Sequence, residues 1–81
     1  MSSVYDTLIG IIERDMTVDR DRCSRDASLV GDLHFDSLAF AIGIVAIEEE
    51  FGVRVDESML MECVTLGDVE RLVADQVGHD Q

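Results

Sequence analysis

The run Asp36-Ser37-Leu38-Ala39-Phe40-Ala41-Ile42-Gly43-Ile44-Val45-Ala46-Ile47-Glu48-Glu49-Glu50-Phe51-Gly52 decides how the rest of the chain is arranged. An Asp followed by an uninterrupted apolar segment marks a helix start, its carboxylate accepting from backbone N–H groups one turn on. A glycine just past the last apolar residue marks the end. Together these signals predict a helix over 37–51, with Asp36 as its N-cap and Gly52 as its C-terminal cap. Ser37 is then the first helical residue. Its hydroxyl lies at the positive end of the helix dipole, beside backbone N–H groups without helical partners, where a phosphate ester is favoured. That environment reads as a modification site rather than a catalytic nucleophile.

Upstream of this helix, Leu29, Val30, Leu33 and Phe35, punctuated by Gly31 and Asp32, are expected to press the chain onto the core just before Asp36. Thr17 to Ser28 shows neither helical nor strand period and reads as a long loop that needs such anchoring. Before it, Val4, Leu8, Ile11 and Ile12 recur at helical spacing to about Asp15, with Ser2 or Ser3 as cap. Downstream, Val53 to Val55 form a short connection. Asp56, Glu57 and Ser58 then offer caps for a brief helix, Met59 to Cys63. Thr65 followed by Asp68 predicts a capping arrangement for a last helix over Leu66, Val69, Leu72 and Val73 to about Val77, ended by Gly78. The expected fold is all-α: a small four-helix bundle with three longer helices, one short third helix and a long first loop.

Composition agrees. With 81 residues, the chain forms one domain, 1–81, without room for a deep substrate cavity and a second lobe. There is no Pro to interrupt helices and no Trp, so the core is mostly aliphatic. Net charge is −12 with no Lys, and it is uneven. Residues 1–30 hold six acids and four Arg, net −2; residues 31–81 hold twelve acids and two Arg, net −10. Such a surface repels nucleic acid and anionic membrane and steers basic protein surfaces toward it, or serves solubility alone. The ten residues Leu38 to Ile47 are too few to span a bilayer. Cys23 and Cys63 make neither a disulfide framework nor a zinc site and read as free thiols, and no targeting signal opens the chain, so a cytosolic protein is expected.

Chemistry native to the chain is hard to find. His34 is three residues from Ser37, but nucleophilic catalysis also needs an orienting partner and an oxyanion site. The Asp19-x-Asp21 pair begins like a calcium loop and fails at its sixth and twelfth positions, Ser24 and Val30. Glu48, Glu49 and Glu50 point to different sides of a helix and cannot converge on an ion. No metal site is expected. Stepping back from Phe51 by helical turns puts Ile47, Ile44 or Gly43, and Phe40 toward the core. Ala39, Ile42, Val45 and Ala46 are left as an apolar strip with Glu49 beside it. That strip is either a docking surface near Ser37 or part of a helix buried on both sides.

Gly31-Asp32-Leu33-His34-Phe35-Asp36-Ser37-Leu38 and, nine residues on, Glu48-Glu49-Glu50-Phe51-Gly52-Val53 resemble an acyl carrier protein over nearly the whole chain. A lone Asp-Ser-Leu is weak; with its flanks at these distances it is specific. The resemblance implies that a phosphopantetheinyl transferase, using coenzyme A and magnesium, attaches 4′-phosphopantetheine to Ser37. Asp36 would help position the magnesium, and Leu38 would begin the surface that partners inspect. The arm's thiol would carry acyl groups as thioesters between acyl-loading and acyl-processing enzymes, so a free-standing, monomeric carrier without catalysis of its own is expected. Carriers of bacterial fatty acid synthesis usually bear acids on the exposed face after the serine, where this chain has Ala39 and Ile42. Docking through Ala39, Ile42, Val45 and Glu49 therefore points to a dedicated polyketide, peptide or aminoacyl pathway, with fatty acid synthesis as the alternative. An unmodified helical interaction module is the rival from another class. Gly43 either leaves room for a sequestered chain or permits close helix packing, which is the favoured reading.

Overall fold

A computed structural model describes residues 4–79. It contains four helices, α1 (Val4–Asp15), α2 (Ser37–Phe51), α3 (Glu57–Met61) and α4 (Leu66–His79), with one 3-10 turn at Arg20–Arg22 in the long first connection. The all-α bundle expected from the sequence is the fold observed. Among the described residues the only β pairing is an isolated bridge between Ser28 and Thr65. The capping assigned to Ser2 or Ser3 lies outside the described residues.

Each helix contributes an aliphatic face to one core. Leu8, Ile9, Ile11 and Ile12 of α1, Phe40, Ala46 and Ile47 of α2, Leu60 of α3 and Leu66, Val69 and Val73 of α4 are all buried together with Leu29, Leu33, Val53 and Val55. α3 starts earlier than its methionines suggest, at Glu57, and Cys63 lies beyond it. α4 runs on through Gly78 to His79. A glycine permits a helix stop without imposing one, and only Gly52 among the described glycines takes the left-handed conformation (φ 66°).

The start of α4 is closed reciprocally. The Asp68 N–H donates to Thr65 Oγ1 (3.2 Å), while Asp68 Oδ2 accepts from the N–H groups of Thr65 and Val64 (both 3.1 Å). These backbone donors hold the Asp68 carboxyl below its ordinary pKa of 3.8. A depressed folded-state pKa contributes stability that is present above the ordinary value and lost as pH falls through the depressed one. Asp68→Asn is therefore expected to be less stable than the parent at neutral pH. The gap between their urea midpoints should close as pH is taken below 3.8; a gap independent of pH would refute this account.

The long connection is held by more than side chains. Leu29 and Leu33 are buried as expected, but Val30 is 64% exposed, because it falls in the turn that reverses the chain between them. Main-chain bonds tie the connection to the start of α4: Leu29 N–H to Val64 O (2.9 Å), Leu66 N–H to Ala27 O (3.0 Å) and Gly67 N–H to Arg25 O (2.9 Å). The Arg25 guanidinium lies 4.2 Å from the centre of the Tyr5 ring and donates to both carboxylate oxygens of Glu70 (2.7 and 3.1 Å), joining α1 to α4.

Gly67 is required by that approach. A Cβ there would stand 2.9 Å from the Arg25 carbonyl oxygen, a backbone atom that cannot rotate away. Ala gains roughly 1 kcal/mol of helix propensity over Gly, against an overpacking cost of roughly 1–3 kcal/mol. Gly67→Ala should thus fail to stabilise α4 and lower the urea midpoint, whereas Gly10→Ala, with open space around its Cβ, should raise it.

Candidate functional site

Ser37 is placed by its two neighbours. Asp36, extended at φ −125° and ψ −173°, accepts the Ala39 N–H on Oδ1 (2.9 Å), and its carbonyl accepts the Phe40 N–H (3.0 Å). Phe35 packs edge-on against Phe40, ring centres 5.4 Å apart at 80°, a hydrophobic staple that fixes the angle at which the chain enters α2. The pairing of residues 35 and 40 across the cap was present in the sequence as the signal of that staple. The Ser37 side chain is exposed and makes no hydrogen bond with another described residue. Leu38, next to it, is 68% exposed.

The core side of α2 holds Phe40, Gly43, Ala46 and Ile47, with Ile44 and Phe51 half-buried. Ala46 therefore does not belong to an open strip, contrary to expectation. Gly43 faces the Met16 methyl, which lies 3.1 Å from where a Cβ would stand, so the small residues of α2 turn toward the end of α1. The exposed apolar strip is consequently rotated by roughly 60° from the expected one, at 100° per residue. It runs through Leu38, Ala41 and Val45, with Val45 55% exposed. Ala39 and Ile42 lie half-buried on its flank. Ile42, Val45 and Glu49 come together around a shallow groove of about 260 Å³ that Asp15 and Ala46 complete; Ala39 does not border it.

The acidic triplet divides its roles. Half-buried Glu48 accepts the Val55 N–H on Oε2 (3.1 Å) and closes the connection after α2, a structural part that helical wheel reasoning missed. Glu50 faces Arg14 (3.3 Å), which also holds Asp15 (2.9 Å). The Glu49 carboxylate is exposed and makes no hydrogen bond or ion pair with a described residue, which leaves it open to a partner.

Behind Gly43, the interior retains an apolar cavity of about 20 Å³ bounded by Met16, Phe35, Ile47 and Leu60. That is room for little more than one water-sized probe, so Gly43 serves close packing in this conformation. Cys23 and Cys63 are free and half-buried. Burial and then the neighbouring carboxylates, Glu13 for the first and Asp68 and Glu62 for the second, push both thiols up, so neither supplies much thiolate to compete for a thioester.

Residues 6–73 match the family described as phosphopantetheine attachment site. The chain is 45% identical over 73 residues to the acyl carrier protein MbtL of Mycobacterium tuberculosis (strain ATCC 25618 / H37Rv), covering 90% of this chain and 87% of that one. The chain belongs to the acyl carrier protein family. The MbtL of Mycolicibacterium paratuberculosis (strain ATCC BAA-968 / K-10) is 48% identical over 67 residues (83% and 75% of the two chains). An acyl carrier protein of Thermotoga maritima is 31% identical over 75 residues, 93% of each. The prosthetic group of an acyl carrier protein is covalent 4′-phosphopantetheine, and the start of α2 offers an exposed serine side chain without a hydrogen-bond partner at the positive end of a helix dipole. As carriers, members of the family work with partner enzymes. Among the described residues no helix is long and apolar enough to cross a membrane.

Proposed function

We propose that Ser37 bears the 4′-phosphopantetheine arm and that residues 1–81 act as one carrier domain without catalysis of its own. The observation that carries this reading is an exposed, unpaired serine hydroxyl on the first residue of a 15-residue helix capped by Asp36. Under a phosphopantetheinyl transferase, Ser37 Oγ forms its bond to the pantetheine-side phosphorus of coenzyme A. The pyrophosphate bond breaks, adenosine 3′,5′-bisphosphate leaves, and the hydroxyl proton passes to a base on the transferase. Once attached, the arm supplies a thiol that holds an acyl group as a thioester, and its length raises the local concentration of cargo at each partner.

The partners it fits have an apolar centre for Leu38, Ala41 and Val45 and a basic rim for Glu49, since residues 31–81 carry net −10. An apolar docking strip, together with likeness to the MbtL carriers, supports service in a dedicated pathway of the reducing cytosol. The test is incubation of the unmodified protein with coenzyme A, magnesium and a promiscuous phosphopantetheinyl transferase, read by intact mass. A gain of one phosphopantetheine is expected; no gain rejects the proposal.

A further inference from the structure

Both described non-glycine residues with left-handed backbone, Thr17 (φ 55°) and His34 (φ 59°), border one hollow. It measures about 420 Å³ and lies between the end of α1 and the turn that leads into α2, with Met16, Val18 and Leu33 as its apolar lining. Polar groups complete it: Thr17, Asp19, Arg22 and His34. Thr17 is held there because the N–H groups of Met16 and Val18 both donate to the Ile12 carbonyl (3.1 and 3.5 Å), which bends the chain around the helix end. Arg22 is presented by the 3-10 turn, whose Arg22 N–H donates to Asp19 O (3.0 Å).

In a chain of net −12, this hollow brings Arg22 and His34 together beside a single carboxylate. Arg14, Arg20 and Arg25 each pair with a carboxylate, whereas the side chains of Arg22, Arg54, Arg71 and His34 make no hydrogen bond or ion pair with a described residue. Two donors without partners therefore sit on the rim of a concavity. Asp19 is the one carboxylate that lines it. His34 is three residues before Ser37, so their Cα atoms are at most about 11 Å apart. The Phe35–Phe40 contact between them fixes the course of that short segment. A phosphate on Ser37 Oγ and an imidazole at residue 34 can bridge such a gap from both ends.

We propose that this hollow receives the phosphodiester of the Ser37-linked arm, with Arg22 and His34 as its partners and Asp19 as the competing charge. The proposal rests on Ser37 bearing the arm. Planar, bidentate donation by Arg22 suits a phosphodiester, and holding that end of the arm would set the direction in which the thiol leaves the domain.

The experiment compares unmodified and fully loaded protein, loading being verified first by intact mass, so that failure to load rejects the attachment at Ser37 and not this inference. The 31P resonance of the arm and the side-chain resonances of His34 and Arg22 are recorded. Loading is expected to move both side-chain resonances and to displace the phosphorus resonance from that of free phosphopantetheine. Arg22→Gln and His34→Asn should each return it part of the way, and the double variant fully; Asn keeps the left-handed backbone accessible. Asp19→Asn should increase the displacement, and about 1 M salt, with a screening length of about 3 Å, should abolish it. Coincident His34 and Arg22 resonances in the two forms, or a phosphorus resonance indifferent to the double variant, would overturn the inference.

Discussion

Ser37→Ala is expected to take up no phosphopantetheine, while its helicity and urea midpoint should match those of the parent. The two halves of this result have separate causes. Loading should be lost because Ser37 carries the hydroxyl at the mouth of α2 that the proposed phosphoester requires. Stability is kept because that Oγ is exposed and hydrogen-bonds to no described residue, and exposed substitutions away from caps and cores usually change stability by no more than about 0.5 kcal/mol. The cap of α2 rests on Asp36, which the substitution leaves untouched. Other hydroxyls are poor substitutes. Ser28 Oγ accepts the Gly31 N–H (3.0 Å) and Thr65 Oγ1 accepts the Asp68 N–H (3.2 Å), so both are engaged. Ser58 is exposed near a helix start, but α3 has five residues and correspondingly few aligned dipoles. Loading of Ser37→Ala at a rate near that of the parent would therefore refute the assignment outright.

The parts of the fold that were legible in advance are those set by bonds between near neighbours. Asp36 caps Ala39 three residues on, Thr65 and Asp68 cap each other, and Gly52 turns left-handed immediately after Phe51. Each is a local contest between a side chain or a glycine and the next turn of backbone, so residue type and spacing suffice. The rotation of α2 about its axis was not legible, because it depends on Met16 approaching Gly43 from another element. An apolar helix with alanines on several sides offers no amphipathic signal with which to orient it. The stitching of Ala27 and Leu29 to Leu66 and Val64 was invisible for a different reason: main-chain bonds between distant segments leave no trace in side-chain pattern. Glu48 shows the same limit, since its role as acceptor for Val55 depends on where the chain returns after Gly52. At the candidate site, the helix start at Ser37 and its Asp36 cap could be read from sequence. The neighbouring surface could be read only as a choice of faces, which the packing of α1 resolves in favour of Leu38, Ala41 and Val45.

That resolution determines where docking must be tested. Val45→Asp should lower the rate of acyl transfer from a loading enzyme by on the order of tenfold or more at limiting carrier concentration, with the fold unchanged. Val45 is 55% exposed at the end of the strip nearer Glu49, so a carboxylate there remains solvated in the free protein and costs only the weak helix propensity of Asp. In the complex the same carboxylate must lose its water against an apolar partner surface; a loss of 1.4 kcal/mol is already tenfold, and central contacts commonly exceed it. Ile42→Asp is the poorer probe: Ile42 is half-buried between Val45 and the end of α1, and an acid placed there would disturb packing and docking at once. Glu49→Gln separates the electrostatic part. With its exposed, unpaired carboxylate removed, transfer should fall less than in Val45→Asp and should depend less on ionic strength, because rim charges act mainly on encounter. Loading of Ser37 must be measured alongside, since a transferase acting on Ser37 would have to approach the same helix. Full loading with transfer at the parent rate in Val45→Asp would mean that partners do not use this strip. Reduced transfer that tracks a fall in the urea midpoint would assign Val45 to the fold instead.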